Sequence, residues 1–498
     1  MKRSIAIVIL LLLTMCLFAE GEEISDSPLE FGGSVGTVII GDQTYMRFRL
    51  NPELTIGKLG IGLDVDLLIE EDGDIREEDW NDWKDYINKL YYVRWSQRGD
   101  TFFAKLGSFD SYSLGRGLVF DDYTNTLNYP SERQLGLMLG GRLPVMEMEL
   151  ESFTSNITVP SIWAGRMSLA PLYLSKIPIL EKLRIGVTAG YDADQYKGIS
   201  KDEEEIIKNT LDSDNDGIPD VDDFDPDNDN KYTKNALIEM GFTDEQIKVF
   251  EDSLWIDKDE NLDDPLGDLD EDDLAVLGFD YYLPLVESDV LSLGHYAELA
   301  QIIDYGYGFT FPGFYAKFLI FHLNLEYRQY AEDFLPGYFN HFYDQERAYL
   351  QLNLEEDQYE IFIKESRLEE IPSQRGWYGK LRADLFDFLY MEASYTDMYA
   401  DGDDDGLKSL VGTVGINTKI VPKLKNMEFK YYQLDVAKIS KFIAPQVVII
   451  GTLRYELGAK TYLLWQYQER YVDIDGNNEI KGDDETIRDV SLGVEFKF

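Results

Sequence analysis

The clearest pattern of hydrophobic and polar positions lies at the carboxyl end of the chain. From Arg488 to Phe498, apolar residues alternate with polar or small ones. Such alternation predicts an extended strand with one apolar face. A length of about ten residues also suits a tilted strand that crosses a membrane. The apolar face of this predicted strand consists of Val490, Leu492, Val494, Phe496 and Phe498.

Two alternating runs near the amino end predict a hairpin. Residues 45–50 and 61–67 alternate on either side of a turn at 57–60. If these runs pair, Arg47, Arg49, Asp64 and Asp66 share the face opposite the apolar one. A barrel would place that face in a wet lumen, where opposite charges can pair across strands. We therefore predict that these four residues line a lumen, the alternative being that they only fasten neighbouring strands.

The same pattern recurs along the chain, including Leu183–Tyr191, Phe318–Leu325 and Leu463–Tyr467. Allowing about 20 residues for each strand with its connection, the chain outside its acidic insert holds about 18 strands, within a range of roughly 16 to 20. The predicted fold is all-β: a large antiparallel transmembrane β-barrel with a small, acidic, partly helical insert. Two or more soluble β-sandwiches are the alternative.

The amino end has the pattern of a secretory signal peptide. Lys2 and Arg3 precede an apolar run from Ile5 to Leu13, and the small residue Ala19 precedes an acidic stretch. The apolar run is too short to span a bilayer, so residues 1–19 are predicted to be an export signal. A lipoprotein signal ending at Cys16 is disfavoured because the large Met15 stands where a small residue is needed. The chain is therefore expected to be exported.

The terminal strand resembles those of bacterial outer-membrane β-barrels, whose last strand ends in Phe. The matching positions are Val490, Leu492, Val494, Phe496 and Phe498. The resemblance implies a location in the bacterial outer membrane and contact with its lipid. It also implies that Phe496 and Phe498 are a signal read by the barrel-assembly machinery. A looser, porin-like resemblance over residues 91–117 implies that the Gly115-Arg116-Gly117 turn folds inward.

The charge of the chain is uneven. The whole sequence has 46 basic and 94 acidic residues, a net charge of -48. Residues 192–273 contain 30 of the acidic and 7 of the basic residues, a net of -23. Nucleic acid is therefore excluded as an expected partner, since phosphate binding requires a basic surface. We predict an acidic insert at 192–277, between barrel portions at 20–191 and 278–498.

The centre of the insert has the spacing of a calcium-binding loop. Aspartates stand at relative positions 1, 3, 5, 9 and 12 of the segment 212–223, with Gly217 at position 6. Hard oxygen ligands at this spacing suit Ca²⁺. The segment is similar to a thrombospondin type 3 repeat, although Asp225 replaces the usual cysteine before Pro226. By that resemblance the calcium ligands are Asp212, Asp214, Asp216, Asp220 and Asp223, the alternative being a solvated acidic loop.

Two further features concern this insert and its ligand. Asp401, Asp403 and Asp405 repeat the first part of the spacing but lack the later acids, so they are weaker calcium candidates. Thr243 to Gln246 has the pattern of a capping box and predicts a short helix. Because long barrel loops lie outside the cell, we expect the insert to be extracellular, a periplasmic position being the alternative.

The sequence contains no pattern typical of an enzyme. It lacks a nucleophile elbow, a phosphate-binding glycine loop and a His-Glu-x-x-His motif, and no catalytic residue is predicted. The leading hypothesis is a porin-like channel for small polar solutes or ions, which could form homo-oligomers. The alternative is a barrel-anchored surface-binding, adhesion or scaffold protein without an open pore. A barrel for export of a polysaccharide or a hydrophobic ligand is a third possibility.

Overall fold

The computed structural model of the chain describes residues 29–199 and 272–497, apart from short internal gaps. These gaps are 41–42, 71–72, 77–78, 82, 110, 128–133, 354–357, 386–387, 401–405, 417–422, 437–438, 440–441, 445–446, 459–460, 472–479 and 481–484. The described part of the chain divides into two compact units. Residues of Met1–Tyr191, Ala275–His341 and Glu369–Phe498 belong to the first, and those of Asp192–Leu274 and Phe342–Leu368 to the second.

Strands dominate the described residues. They are, in chain order, β1 (Leu29–Ile40), β2 (Gln43–Ile56), β3 (Leu59–Leu63), β4 (Val65–Ile69), β5 (Leu90–Trp95), β6 (Phe102–Gly107), β7 (Tyr112–Leu114), β8 (Phe120–Tyr123), β9 (Gly136–Leu143), β10 (Met148–Thr154), β11 (Ile162–Leu169), β12 (Arg184–Asp192), β13 (Leu274–Glu287), β14 (Leu291–Ile302), β15 (Tyr307–Phe318), β16 (Phe321–Tyr330), β17 (Ala348–Asn353), β18 (Gln358–Ile363), β19 (Gln374–Leu385), β20 (Leu389–Ala400), β21 (Lys408–Ile416), β22 (Leu424–Val436), β23 (Val447–Gly458), β24 (Thr461–Tyr471) and β25 (Thr486–Lys497).

Helices are few and short. The α-helices are α1 (Trp83–Ile87) and α2 (Tyr343–Glu346), and 3-10 turns lie at Val145–Glu147, Leu180–Lys182, Gln195–Gly198 and Lys364–Glu370. Among the described residues, none of the helices has the length and apolar character needed to cross a membrane.

The main sheet closes on itself as an antiparallel barrel. It contains 21 strand segments, and the first of them, β1, pairs with both β2 and the last segment, β25. Since β3 and β4 both pair with β2, they are two parts of one interrupted strand. The result is a closed barrel of 20 strands, which confirms the predicted fold class and lies at the upper limit of the expected strand number.

The predicted amino-terminal hairpin is present, with one interruption. Arg49 of β2 lies opposite Asp66 of β4, and the intervening turn is at residues 57–58. The strand breaks at Asp64, whose backbone N–H donates to the carbonyl of Lys89 at 2.7 Å. The alternation continues across this break, so Asp64 and Asp66 remain on one face.

One predicted strand is instead a turn. The sequence predicts a strand over Phe318–Leu325, but the chain reverses at Leu319 and Ile320, and Phe318 pairs with Phe321 across the hairpin. Leu319 has a positive φ of 53°. Both turn residues are apolar and exposed, so the sequence lacks the glycine or polar residues that usually mark a turn.

The other named strands lie where they are expected. The runs Leu183–Tyr191 and Leu463–Tyr467 fall in β12 and β24, and the terminal run forms β25. Phe496 is exposed at the end of β25, whereas Phe498 lies outside the described residues.

The connections between barrel strands differ at the two ends of the barrel. At the end that holds both termini of the sheet most connections are short, including 57–58, 96–101, 144–147, 288–290 and 319–320, and the longer 170–183 is an exception. The other end holds the longer ones, including 70–89, 108–135, 193–273 and 331–373. The acidic segment after Asp192 therefore leaves and rejoins the sheet at the end with long connections.

The two faces of the barrel wall differ in polarity, as alternation along strands requires. The outward face presents large apolar side chains around the barrel, among them Val35, Phe48, Leu139, Trp163, Phe279, Phe314, Leu325, Trp377, Tyr395, Phe429 and Leu492. The inward face carries many buried polar and charged groups, among them Arg47, Asp280, Glu298, Thr310, Glu326 and Arg328.

A segment between β6 and β9 crosses the interior of the barrel. We call Phe109–Leu127 the inner hairpin; it contains the paired strands β7 and β8. Its turn includes Gly115 and Gly117, which both have positive φ angles, of 74° and 103°. The backbone N–H groups of Arg116 and Leu118 each donate to the Glu298 carboxylate at 2.9 Å. Because Glu298 lies on β14, these bonds fasten the turn to a distant part of the wall.

Aromatic side chains form an apolar core around the inner hairpin. Phe120 stacks on Phe339 with ring centroids 4.5 Å apart, and both rings are fully buried. Phe153 of β10 packs edge-on against Tyr112 at 4.8 Å and stacks on Tyr123 at 5.6 Å. The interior beside β9–β15 is thus filled by protein.

The second unit contains its own polar and apolar contacts. The buried Asp192 carboxylate accepts hydrogen bonds from Tyr343 Oη at 2.9 Å and Arg347 Nη1 at 3.2 Å. Ile199 and Ala348 are buried together against Leu350, Ile361 and Ile363. The segment 342–368, which carries β17 and β18, therefore belongs with the insert, a link that the sequence did not predict.

Candidate functional site

A polar cavity lies between the inner hairpin and the wall of the barrel. We call it the lumen cavity; its volume is about 460 Å³. The wall side belongs to β1, β2, β5 and β22–β25 with Asp64 and Asn88, and the inner side to Ser108, residues 124–127, Gln134 and His341. Polar residues that line it are Arg47, Arg49, Asp64, Asn88, Tyr91, Ser108, Thr124, Asn125, Thr126, Gln134, His341, Asn426, Glu428, Lys430, Thr452, Gln466, Tyr467, Gln468, Asp489 and Ser491.

The four predicted lumen residues lie together as two ion pairs. Arg47 donates to Asp66 Oδ2 through Nε at 2.8 Å and Nη2 at 2.5 Å. Arg49 forms a bidentate ion pair with Asp64: Nε donates to Oδ1 at 2.6 Å, and Nη2 donates to Oδ2 at 2.8 Å. Arg47, Asp64 and Asp66 are buried, and Arg47, Arg49 and Asp64 line the lumen cavity. Arg47 also donates to Ser491 Oγ of β25 at 3.2 Å, which ties β2 to the terminal strand.

The adjoining strands β23–β25 present hydrogen-bonding side chains in register. Thr452 of β23 lies opposite Gln466 of β24, and Gln466 lies opposite Ser491 of β25. One step along the strands, Gln468 lies opposite Asp489. Adjacent strands are about 4.8 Å apart, so these groups form a continuous polar surface.

β22 contributes one basic and one acidic side chain to the lining, and the two form an ion pair. Lys430 Nζ lies 3.5 Å from Glu428 Oε1, and both residues line the lumen cavity. The nearby Asn426 Nδ2 donates to Thr452 Oγ1 at 3.3 Å. Among the described residues that line the cavity, three basic ones (Arg47, Arg49 and Lys430) match three acidic ones (Asp64, Glu428 and Asp489). These lining residues together have no net charge, in contrast to the chain as a whole.

On its inner side the cavity borders a hydrogen-bonded carboxylate. His341 Nδ1 lies 3.3 Å from Asp122 Oδ2, and the His341 ring stacks on Tyr432 of β22 at 5.3 Å. Ser111 also donates to the Asp122 carboxylate. Burial opposes ionisation of Asp122, but the hydrogen bond and charge of His341 and the Ser111 hydroxyl outweigh it and lower its pKa.

The neighbouring Asp121 behaves in the opposite way. Solvent reaches part of its surface, but the surrounding protein atoms desolvate the carboxylate. Burial raises the pKa of Asp121 to about 6, and the adjacent Asp122 charge adds to the rise. The cations Lys380 and Arg328 act against this shift. Two adjacent carboxylates on the inner hairpin therefore differ in their ionisation near pH 5.

A smaller cavity of about 370 Å³ lies near the end with short turns. Its lining is strongly charged: Glu147, Tyr173, Glu181, Lys182, Arg184, Tyr282, Pro284 and Glu287. Arg184 contacts Glu149 at 3.1 Å, and Lys182 pairs with Glu287.

The predicted calcium ligands cannot be placed in the structure. Asp212, Asp214, Asp216, Asp220 and Asp223 lie outside the described residues, and so do the weaker candidates Asp401, Asp403 and Asp405. Within the described ranges, no group of three or more His, Cys, Asp or Glu side chains could hold a metal ion.

Several residues around the lumen cavity were not anticipated from the sequence. Lys430 lies on β22, and Gln466 and Gln468 lie on β24. The sequence alone does not show that these strands border the cavity, because that depends on which part of the interior the inner hairpin occupies. The Gly115-Arg116-Gly117 motif is the feature of the sequence that indicates an inward turn at this hairpin. Its position, bonded to Glu298 inside the barrel, agrees with the inward fold expected from the sequence.

The geometry defines a closed β-barrel whose interior is partly filled and partly open. No family model matches the chain, and comparison with curated protein sequences finds no match. Among solved structures it is similar to OprD of Pseudomonas aeruginosa, at 11% identity and a TM-score of 0.32, over 96% of this chain and 97% of that one.

Two other solved barrels show the same level of similarity. The siderophore receptor PirA of Acinetobacter baumannii matches at 9% identity and a TM-score of 0.34, over 96% of this chain and 81% of that one. OccK2 (OpdF) of Pseudomonas aeruginosa matches at 9% identity and a TM-score of 0.31, over 96% of this chain and 99% of that one. Identities and scores this low assign neither a family nor a solute.

Proposed function

We propose that this chain is a bacterial outer-membrane channel through which small polar solutes and ions diffuse. The observation that carries the proposal is the polar lumen cavity, enclosed between the wall of a closed barrel and the inner hairpin. Diffusion through a barrel requires a continuous polar lining, because a solute must exchange its hydration for contacts with the wall.

The outer face supports a membrane location. Large apolar side chains are exposed around the barrel, which in water would be an extensive unfavourable surface. The predicted signal peptide and the terminal Phe498 are consistent with export and assembly in the outer membrane, although both lie outside the described residues. Short turns at one end and long connections at the other are the usual arrangement of such barrels, with the long ones outside the cell.

We also propose that the acidic insert is extracellular and binds calcium through Asp212, Asp214, Asp216, Asp220 and Asp223. Its support is the ligand spacing of the sequence and the attachment of the insert at the end with long connections. Calcium would reduce the repulsion among these carboxylates and give the insert a fixed local structure.

A second candidate function is a barrel-anchored binding or scaffold protein. The observation that favours it is the apolar core, which fills the interior beside β9–β15 and is fastened by Glu298. In that case the lumen cavity would be a closed pocket and the second unit would contact an envelope polymer or another cell.

Planar-bilayer recordings distinguish the two functions. The refolded chain should produce discrete conductance steps at low protein concentration if it is a channel. The controls are the detergent alone and the heat-unfolded chain. A barrel that migrates differently on a denaturing gel before and after boiling, yet carries no current, would contradict the channel and favour the anchor.

A further inference from the structure

The composition of the lumen cavity indicates which solutes fit it. Among the described residues that line it, the basic and acidic side chains are equal in number. Arg49 pairs with Asp64 within the lining, and Arg47 pairs with the buried Asp66, which lies behind the lining. Selectivity among ions follows the charge of the lining, so a lining without net charge favours neither cations nor anions strongly. An ion that enters this cavity would meet no excess of opposite charge.

The remaining surface is made of amides and hydroxyls. The amides are Asn88, Asn125, Gln134, Asn426, Gln466 and Gln468, and the hydroxyls are those of Ser108, Thr124, Thr126, Thr452 and Ser491. Some of these are used within the protein: the Asn125 amide bonds to the backbone of Phe109, Gly107 and Ser155. Such bonds hold the inner side of the cavity in position.

Other groups on the wall remain available to a solute. Within the described part of the chain, the Gln466 and Gln468 amides have no hydrogen-bond partner, and both lie on the cavity side of β24. The Asn88 Oδ1 atom is buried at the lining and accepts no hydrogen bond from the described residues. Each amide offers both donors and an acceptor. Together they match a solute whose own groups both donate and accept.

We propose that the lumen cavity binds neutral, polyhydroxylated solutes, that is, sugars of one to a few rings. A sugar hydroxyl donates and accepts at once, which suits the amide and hydroxyl surface across Thr452, Gln466 and Ser491. A volume of about 460 Å³ is within the usual range for small-ligand sites. The proposal rests on the channel function and adds the solute class to it.

The test is block of ion current by a sugar. Maltotriose is added to single channels of the wild-type chain, with poly(ethylene glycol) of similar size as the control for simple exclusion from the pore. Maltotriose should reduce the current in a saturable manner, and the polymer should not saturate. In a salt gradient, the permeabilities of K⁺ and Cl⁻ should agree within about twofold, as a neutral lining requires.

The variant Gln466→Ala/Gln468→Ala removes the two open amides. It should raise the half-blocking maltotriose concentration about tenfold, as expected for the loss of two hydrogen bonds. Gln329→Ala, on the outward face of β16, is the matched control and should behave as the wild type. Heat-modifiable migration on a gel verifies that each variant folds.

The outcomes separate this proposal from the channel function. Discrete conductance with equal effects of maltotriose and polymer, or with the same half-block in wild type and the double variant, overturns the sugar site and leaves the channel. A strong preference for K⁺ or Cl⁻ would also contradict it. Absence of any conductance in a folded barrel would overturn the channel function itself.

Discussion

The sequence predicts that the side chains of Arg47, Arg49, Asp64 and Asp66 share one face of the sheet. It does not predict which arginine pairs with which aspartate. Alternation placed the four side chains together, because successive residues of a strand point to opposite sides. Arg47 lies opposite Leu68 in the register, yet its guanidinium reaches diagonally to Asp66. This choice depends on the strand break at Asp64 and on sheet twist, neither of which the residue pattern contains.

The raised pKa of Asp121 predicts how the free energy of unfolding depends on pH. Its folded-state pKa of about 6 lies above its ordinary value of 3.8, so folding favours the protonated form. The stability that it contributes is full below pH 4 and is lost as pH rises through about 6. Asp121→Asn should therefore stabilise the chain relative to wild type at pH 8 by about 1 kcal/mol, after discounting for solvent access, and much less at pH 4.

The measurement is denaturant unfolding of the refolded barrel at both pH values. Asp122→Asn is the control of opposite sign, because the pKa of Asp122 is lowered and its bonds to His341 and Ser111 stabilise the ionised form at pH 8. Equal stability differences for Asp121→Asn at the two pH values would refute the raised pKa.

At the scale of elements, the sequence predicts strands well and their connections poorly. Each barrel strand has one apolar face, so period-two alternation is strong. Two segments that alternation does not predict have physical causes. The turn at Leu319 and Ile320 is apolar because it is exposed at one end of the apolar outer face.

The inner hairpin is the second such segment. It carries aromatic residues on a short, irregular stretch, and its contact residues Glu298 and Phe339 are far away in sequence.

The terminal strand β25 closes the barrel, because it pairs with β24 on one side and β1 on the other. Deletion of Phe498 should reduce the amount of assembled barrel in the outer membrane several-fold if the terminal aromatic residue is the assembly signal. Phe498→Tyr, which retains a terminal ring, is the control and should assemble nearly normally. Membrane fractionation and heat-modifiable migration measure the assembled fraction; normal assembly of the truncated chain would contradict the prediction.

The insert should respond to calcium if its aspartates are ligands. With calcium at 100 times its dissociation constant, cleavage in the segment 212–223 should slow by about two orders of magnitude, since binding removes the cleavable open state by mass action. Asp214→Asn/Asp216→Asn should abolish the protection, and Asp401→Asn/Asp403→Asn should not. Limited proteolysis with calcium or chelator gives the rates, and identical rates in wild type would leave only a solvated acidic loop.

At the scale of the whole molecule, total charge is a poor guide to the pore. The chain has a net charge of -48, of which -23 lies in residues 192–273. The lumen cavity nevertheless has as many basic as acidic side chains. Composition alone favours a cation-selective channel, whereas the arrangement of residues in space favours weak selectivity.

The interior of the barrel also differs from a simple open pore. A barrel of 20 strands is wide enough to leave a lumen unless protein fills it. Here the inner hairpin and its aromatic partners occupy one side, and the polar cavity occupies the other. The sequence predicts the barrel but not this division, because the division depends on contacts between residues distant in the chain.

The most direct test of this account compares the single-channel conductance of two chains. One is the wild type, and in the other a short Gly-Ser linker replaces Ser111–Asp122. If the inner hairpin narrows a conducting lumen, the wild type gives small discrete steps and the shortened chain gives steps several-fold larger, both from heat-modifiable barrels. Equal conductance in the two folded chains, or silence in both, would contradict the account.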